Sequence, residues 1–190
     1  MKKVLILNAN PKRESLNKAM GEAYKASIIG KHEVVSVNIG ELDFQADLTE
    51  GYDKVQPLEP DLEQLQLHIS WADHIVIISP VWWGSMPAKF KGAIDRTFLS
   101  GFAFSYEEGK SIPKKLLKGK TSELIFTLDT PVFWYKLVQG NVIYKHLKRT
   151  ILDFVGIKTV ATQYFGPVIS SKPEARNAWQ NIIARQAAKL

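Results

Sequence analysis

Short unbroken apolar runs alternate along this chain with longer stretches in which apolar residues recur every three or four positions. Val4-Leu5-Ile6-Leu7 and Ile75-Val76-Ile77-Ile78 are of the first kind. Four consecutive apolar side chains predict a strand buried on both faces. Residues 34–39, 124–128 and 160–165 read as three further strands. Between the strands, Leu16, Ala19, Met20, Ala23 and Ala26 make a helical stripe behind Ser15. Leu58, Leu62, Leu65, Ile69 and Ala72 make a second stripe, and Phe90, Ile94 and Phe98 a third. Pro87 suits the first position of that third helix, where its missing N–H costs nothing. Ile143, Leu147, Ile151 and Val155 line a fourth helix that Gly156 closes. Ala175, Ala178, Trp179, Ile182 and Ile183 line a fifth.

Five strands alternating with five helices predict right-handed crossovers and a parallel sheet covered on both faces. The expected product is one α/β domain over residues 1–190, a three-layer sandwich with strand order 2-1-3-4-5. Two long connections, residues 40–57 and 100–119, stand out as functional or partner-facing. Ligands of such sheets bind beyond the carboxyl ends of the strands, where the strand order reverses. That rule selects the loops at 8–17, 80–86 and 127–131.

The 8–17 loop runs straight into a helix, so its free N–H groups and the positive helix end suit a phosphate. The alternative is that Ser15 merely caps the helix. In the second loop, Trp82 and Trp83 directly follow the central strand. Tryptophans there suit a flat aromatic ligand, or else pack on a neighbouring helix or subunit.

Composition narrows the chemistry. There is no cysteine, which removes disulfides, thiolate metal sites and a cysteine nucleophile and fits a reducing cytoplasm. The longest apolar runs fall far short of the ~20 residues of a membrane span, so a cytoplasmic protein without membrane insertion is expected. A net charge of +6 suggests an anionic ligand. The lysines between 110 and 120 read as a solvated loop, and no nucleic-acid module accompanies them. His32, His68, His74 and His146 lack metal-ligand spacing, so no metal is expected. Gly119-Lys120-Thr121 lacks the upstream glycine of a phosphate-binding P-loop. Asp95-Arg96 reads as a local ion pair.

With those segments in view, the sequence resembles the NAD(P)H:quinone oxidoreductase family of flavodoxin-like proteins, of the bacterial quinone reductase and modulator of drug activity type. The resemblance covers nearly the whole chain. It rests on residues 10–17, Ala72-Asp73-His74-Ile75-Val76 and the stretch 80–92 from Pro80 to Gly92. Asp95-Arg96, Gly101-Phe102-Ala103-Phe104-Ser105-Tyr106, Leu117-Lys118-Gly119-Lys120 and Leu128-Asp129-Thr130-Pro131 complete it.

It implies an NAD(P)H dehydrogenase (quinone)-type flavoprotein that passes two electrons, as hydride, from NADH or NADPH to quinones or similar flat acceptors, as a homodimer. The flavin is expected to be FAD, with FMN as the alternative. By position, Asn10, Ser15, Leu16 and Asn17 would hold the phosphate end. Pro80, Val81, Trp82, Trp83 and Gly84 would hold the isoalloxazine edge, and Thr127, Leu128 and Asp129 its pyrimidine side. Phe104 and Tyr106 would lie over the partner's flavin, or else fold back on their own chain. Animal members carry two glycines after the fourth strand, with a Tyr and a His nearby. Here Asp129-Thr130-Pro131 follows that strand, Leu137 stands where the His would be, and the proton would come from water or Tyr135. Two other roles stay open: a flavin-bearing regulatory subunit of a membrane transporter, and an electron-carrier flavodoxin.

Overall fold

A computed structural model describes residues 1–190. In chain order it contains β1 (Lys3–Asn8), α1 (Leu16–Ile28), β2 (Glu33–Asn38), α2 (Pro60–Trp71), β3 (His74–Pro80) and α3 (Ala88–Thr97). A two-stranded ribbon of β4 (Phe104–Ser105) and β5 (Lys114–Lys115) precedes β6 (Thr121–Thr127) and the short helix α4 (Val132–Leu137). Then comes one helical run: α5 (Val142–Lys145), a π-helical stretch His146–Leu152, and α6 (Asp153–Val155). The strand β7 (Lys158–Phe165) and the helix α7 (Pro173–Ala187) follow.

The main sheet is parallel in the order β2-β1-β3-β6-β7. Counting only its own strands, that is the flavodoxin-like order 2-1-3-4-5. The pleat sends alternate residues to opposite faces. Leu5, Leu7, Ile75, Ile77, Leu124 and Phe126 join the larger core, under α2, α3 and the helical run 142–155. Val4, Ile6, Val76, Ile78 and Ile125 join the smaller one, under α1 and α7. All seven residues of β3 are buried, as a central strand requires.

The helices sit where the periodicity puts them, but two present different faces. α1 buries Asn17, Met20, Gly21, Tyr24 and Ile28 rather than the alanine stripe. Gly21 lies over Ile6 and Ile78 of the sheet, and the small alanines fall to the flank. α7 buries Ile183 and Ala187, while Ile182 is exposed. Ile143, Leu147, Ile151 and Val155 are all buried as expected. A strict spacing of four drifts by about 40° per turn in an α-helix. The wider π turns take up that drift and keep the four side chains on the sheet.

The pair Asp95-Arg96 does not exist. Asp95 accepts from Lys91 at 2.6 Å, while Arg96 points inward with only 1% of its surface exposed. Its guanidinium donates to the Pro57 carbonyl at 2.6 Å and to Glu59 Oε2 at 2.9 Å, and also to the Gln45 carbonyl. One residue of helical rotation separates the two side chains: Arg96 turns inward to carbonyls of the 42–59 segment, while Asp95 stays with Lys91 beside Tyr52. That segment has no helix or strand, yet it is pinned to α3 by this fork. Lys110, Lys114 and Lys118 are exposed as expected, but Lys120 Nζ donates to the Ser70 and Ala72 carbonyls at the end of α2.

Candidate functional site

The loops leaving β1, β3 and β6 meet at the carboxyl end of the sheet, and asparagines tie them together. Asn8 donates through Nδ2 to Asn38 Oδ1 of β2 at 3.1 Å and accepts the Asn10 amide on its own Oδ1, also at 3.1 Å. Asn10 in turn donates to Asn17 Oδ1 at 3.2 Å, and Thr127 Oγ1 donates to the same oxygen at 3.1 Å. Strand ends β2, β1 and β6 are thereby cross-linked to the start of α1. Asn17 Nδ2 is left without a partner although buried. A buried amide donor without an acceptor is costly, so its position at a cleft is a chemical invitation to an acceptor group.

Ser15 caps α1, its Oγ accepting from the Lys18 amide at 3.2 Å. The capping reading is therefore correct. It does not exhaust the helix end, because the Leu16 and Asn17 amides have no intrahelical partner. They face a cavity of about 290 Å³ whose walls include Asn10, Ser15, Leu16, Asn17, Pro80, Val81, Trp82, Thr127, Leu128 and Asp129. Three further wall residues, Lys12, Val168 and Arg176, were not singled out by sequence reasoning. Arg176 comes from α7, where nothing local marks it. Its Nε donates to Ser171 Oγ at 2.8 Å and its Nη2 to the Val168 carbonyl at 3.1 Å, which leaves its other donors for a ligand.

A second cavity of about 530 Å³ shares Val81, Leu128 and Asp129 with the first. Trp83, Gly84, Thr130, Gln139 and Val142 complete its lining. Gln139 and Val142 are again unforeseen, since no motif marks them. Trp82 and Ser85 exchange two backbone hydrogen bonds of 2.8 and 2.9 Å, closing a two-residue turn on Trp83 and Gly84. Both turn residues have positive φ, 50° for Trp83 and 79° for Gly84. Glycine reaches that region freely; a tryptophan does so at a cost of about 1–2 kcal/mol. Trp83 is also fully exposed. A strained, solvent-facing tryptophan beside a cleft is the kind of outlier that marks a functional position. Neither the Trp83 nor the Gly84 amide donates to another backbone group.

Two expected residues lie elsewhere. Tyr135 lines neither cavity; it is 1% exposed, with its O–H donating to the Gly84 carbonyl at 2.8 Å. Burial raises its pKa further, and the same hydroxyl accepts the Ile143 amide at 2.9 Å. Phe104 folds back on its own chain, 5.2 Å edge-on from Phe154 and 5.7 Å from Tyr106. Phe104 packs against the larger core, whereas Tyr106 remains exposed. The ribbon register, Phe104 opposite Lys115, causes this by holding β4 against the end of the helical run. No group of histidines, cysteines or carboxylates capable of holding a metal is present.

Known proteins share the fold of this chain and part of its sequence. The chain is 33% identical over 132 residues to an uncharacterized NAD(P)H oxidoreductase of Haemophilus influenzae, covering 68% of this chain and 64% of that protein. It is 30% identical over 129 residues to an FMN-dependent NADH:quinone oxidoreductase of Shewanella loihica, covering 66% of this chain and 62% of that one. The matched region thus spans somewhat less than two thirds of either relative. Among solved structures, Smu.1420 from Streptococcus mutans superposes with a TM-score of 0.79 at 26% identity, over 98% of this chain and 99% of that one. Residues 2–187 match the family defined by the flavodoxin-like fold; the chain belongs to that family.

Proposed function

We propose that this protein is a flavin-dependent NAD(P)H oxidoreductase that reduces quinones or similar flat acceptors. The observation that carries the reading is the pair of joined cavities at the strand ends. One offers a helix N-terminus, an orphan amide and two cations; the other is bounded by an exposed aromatic turn. Those features fit, in order, the phosphate chain and the ring system of a flavin. The names of the Haemophilus and Shewanella relatives support the same chemistry.

The Leu16 and Asn17 amides, with Asn17 Nδ2, would hold phosphate oxygens, and Lys12 and Arg176 would balance their charge. The Trp83 and Gly84 amides would donate along the ring edge. A bound flavin would supply the two-electron transfer between NAD(P)H and acceptor; the protein positions and desolvates the reactants. Asp129 is the sole ionisable side chain on the wall of the larger cavity, and its Oδ1 already accepts the Ile169 amide at 2.7 Å. Water is accordingly the proton source we favour.

FAD is the proposed flavin. Lys12 and Arg176 provide two cations for a diphosphate, and Val168 lines the same cavity as Ser15. The FMN dependence named for the Shewanella relative supports the alternative. A homodimer and a cytoplasmic location complete the reading; no helix is long and apolar enough to cross a membrane. The test is mass spectrometry of the cofactor released from the yellow protein, followed by steady-state reduction of menadione with NADPH and NADH. FAD with turnover is expected. FMN alone would correct the cofactor, and a protein that binds neither flavin would overturn the function.

A further inference from the structure

The strained turn on Trp83 and Gly84 has no local reason to be there. A two-residue turn with positive φ at both positions is favoured by Asn-Gly or Gly-Gly, not by Trp-Gly. Something outside the turn has to hold it. Its one tertiary hydrogen bond from a side chain comes from Tyr135, whose hydroxyl donates to the Gly84 carbonyl at 2.8 Å.

The same hydroxyl accepts the Ile143 amide at 2.9 Å. Ile143 is the second residue of α5, so its N–H is one of those a helix start leaves unpaired. The residue before α5, Asn141, does not supply the usual cap. It sits at φ 54° with no capping side-chain bond, and its Oδ1 instead accepts from Tyr164 at 2.8 Å. The phenol of Tyr135 therefore does the capping from a distance.

These two bonds have a geometric consequence. Gly84 and Val142, next to Ile143, both line the larger cavity. One buried oxygen thus ties together two segments, far apart in the chain, that line it. We propose that Tyr135 is a positioning residue that sets the width of the cleft by locking the Trp83 turn to the start of α5. This rests on the proposed function only for its catalytic consequence; the lock itself is a property of the protein without any flavin.

Tyr135→Phe keeps the buried ring and removes the oxygen. Losing two buried hydrogen bonds should raise amide exchange at Ser85 and Ile143 about tenfold or more in flavin-free protein. Amides of β3 should exchange as before. In the loaded enzyme the acceptor KM should rise several-fold, with kcat within about twofold, because the lock shapes the cleft and donates no proton. Gly84→Ala attacks the same lock from the turn, since its φ of 79° strains any side chain; it should expose Ile143 to exchange, and combining the two changes should add little. Should Tyr135→Phe fail to fold, Ile143 exchange in Gly84→Ala decides. Unchanged exchange at both Ser85 and Ile143, or a kcat that collapses at constant KM, would overturn the proposal. Absence of flavin binding would defeat the proposed function but leave the exchange test intact.

Discussion

A histidine with none of its surface exposed must be paired or neutral, and His74 is neutral. Burial, with help from the charges of Lys2 and His32, pushes its pKa down to about 4. Its Nδ1 shares a hydrogen bond of 2.7 Å with Thr121 Oγ1, and its Nε2 stands unpartnered 3.8 Å from Glu123. The native state refuses a proton that the unfolded chain accepts near pH 6.5. Stability from this residue is therefore complete above pH 6.5 and lost as pH falls toward 4, by roughly 3 kcal/mol in all. Glu123 opposes the trend, because burial raises its pKa and the folded state gains its proton first. The expected outcome for His74→Gln is a smaller loss of stability between pH 7 and pH 4.5 than in the native sequence. Urea midpoints at the two pH values check it, and equal losses would show that His74 does not govern the acid limb. The spacing of His74 in the sequence gave no reason to expect a metal ligand. It could not show burial, which depends on α1 and α7 covering that end of the sheet.

At the level of elements, the 42–59 segment shows how a long irregular connection is kept in place. Its carbonyls at Gln45 and Pro57 are taken up by one guanidinium, and Glu59 completes the fork. Glu59 lies below its usual pKa: burial works against the shift, but the Gln45 amide and Arg96 outweigh it. Arg96→Ala leaves two carbonyls and a carboxylate without their donor. Breaking a buried pair by removing one partner costs about 3–5 kcal/mol; Glu59 is partly exposed, so the lower end is expected. The loss should be visible as a lower thermal midpoint and as new proteolytic cleavage within 42–59. A midpoint unchanged within error would mean that packing, not Arg96, holds the segment. The adjacent Asp95 misled the sequence reading because neighbours in sequence point about 100° apart on a helix.

At the scale of the whole molecule, the carboxyl end of the sheet carries more exposed apolar surface than a solitary protein comfortably keeps. Trp83, Phe133, Leu137 and Val138 are all exposed there. Exposed apolar side chains of that kind suit an interaction surface, which fits the proposed homodimer. Phe133→Ser with Leu137→Ser should shift sedimentation toward monomer while leaving the fold intact; a native protein that is already monomeric at micromolar concentration would refute the dimer. Here the division between sequence and tertiary structure becomes clear. The sequence by itself determined the α/β class, the five strands, their order and the three loops that form the site. Each follows from local periodicity and from the few right-handed ways of joining such elements. Tertiary structure alone decided which way Arg96 faces, that the Tyr135 hydroxyl is buried between Gly84 and Ile143, that Phe104 packs against its own chain, and that Arg176 reaches the cleft. Those outcomes rest on which side chain is nearest once distant segments meet, and distances between segments far apart in the chain are not written in a periodic pattern.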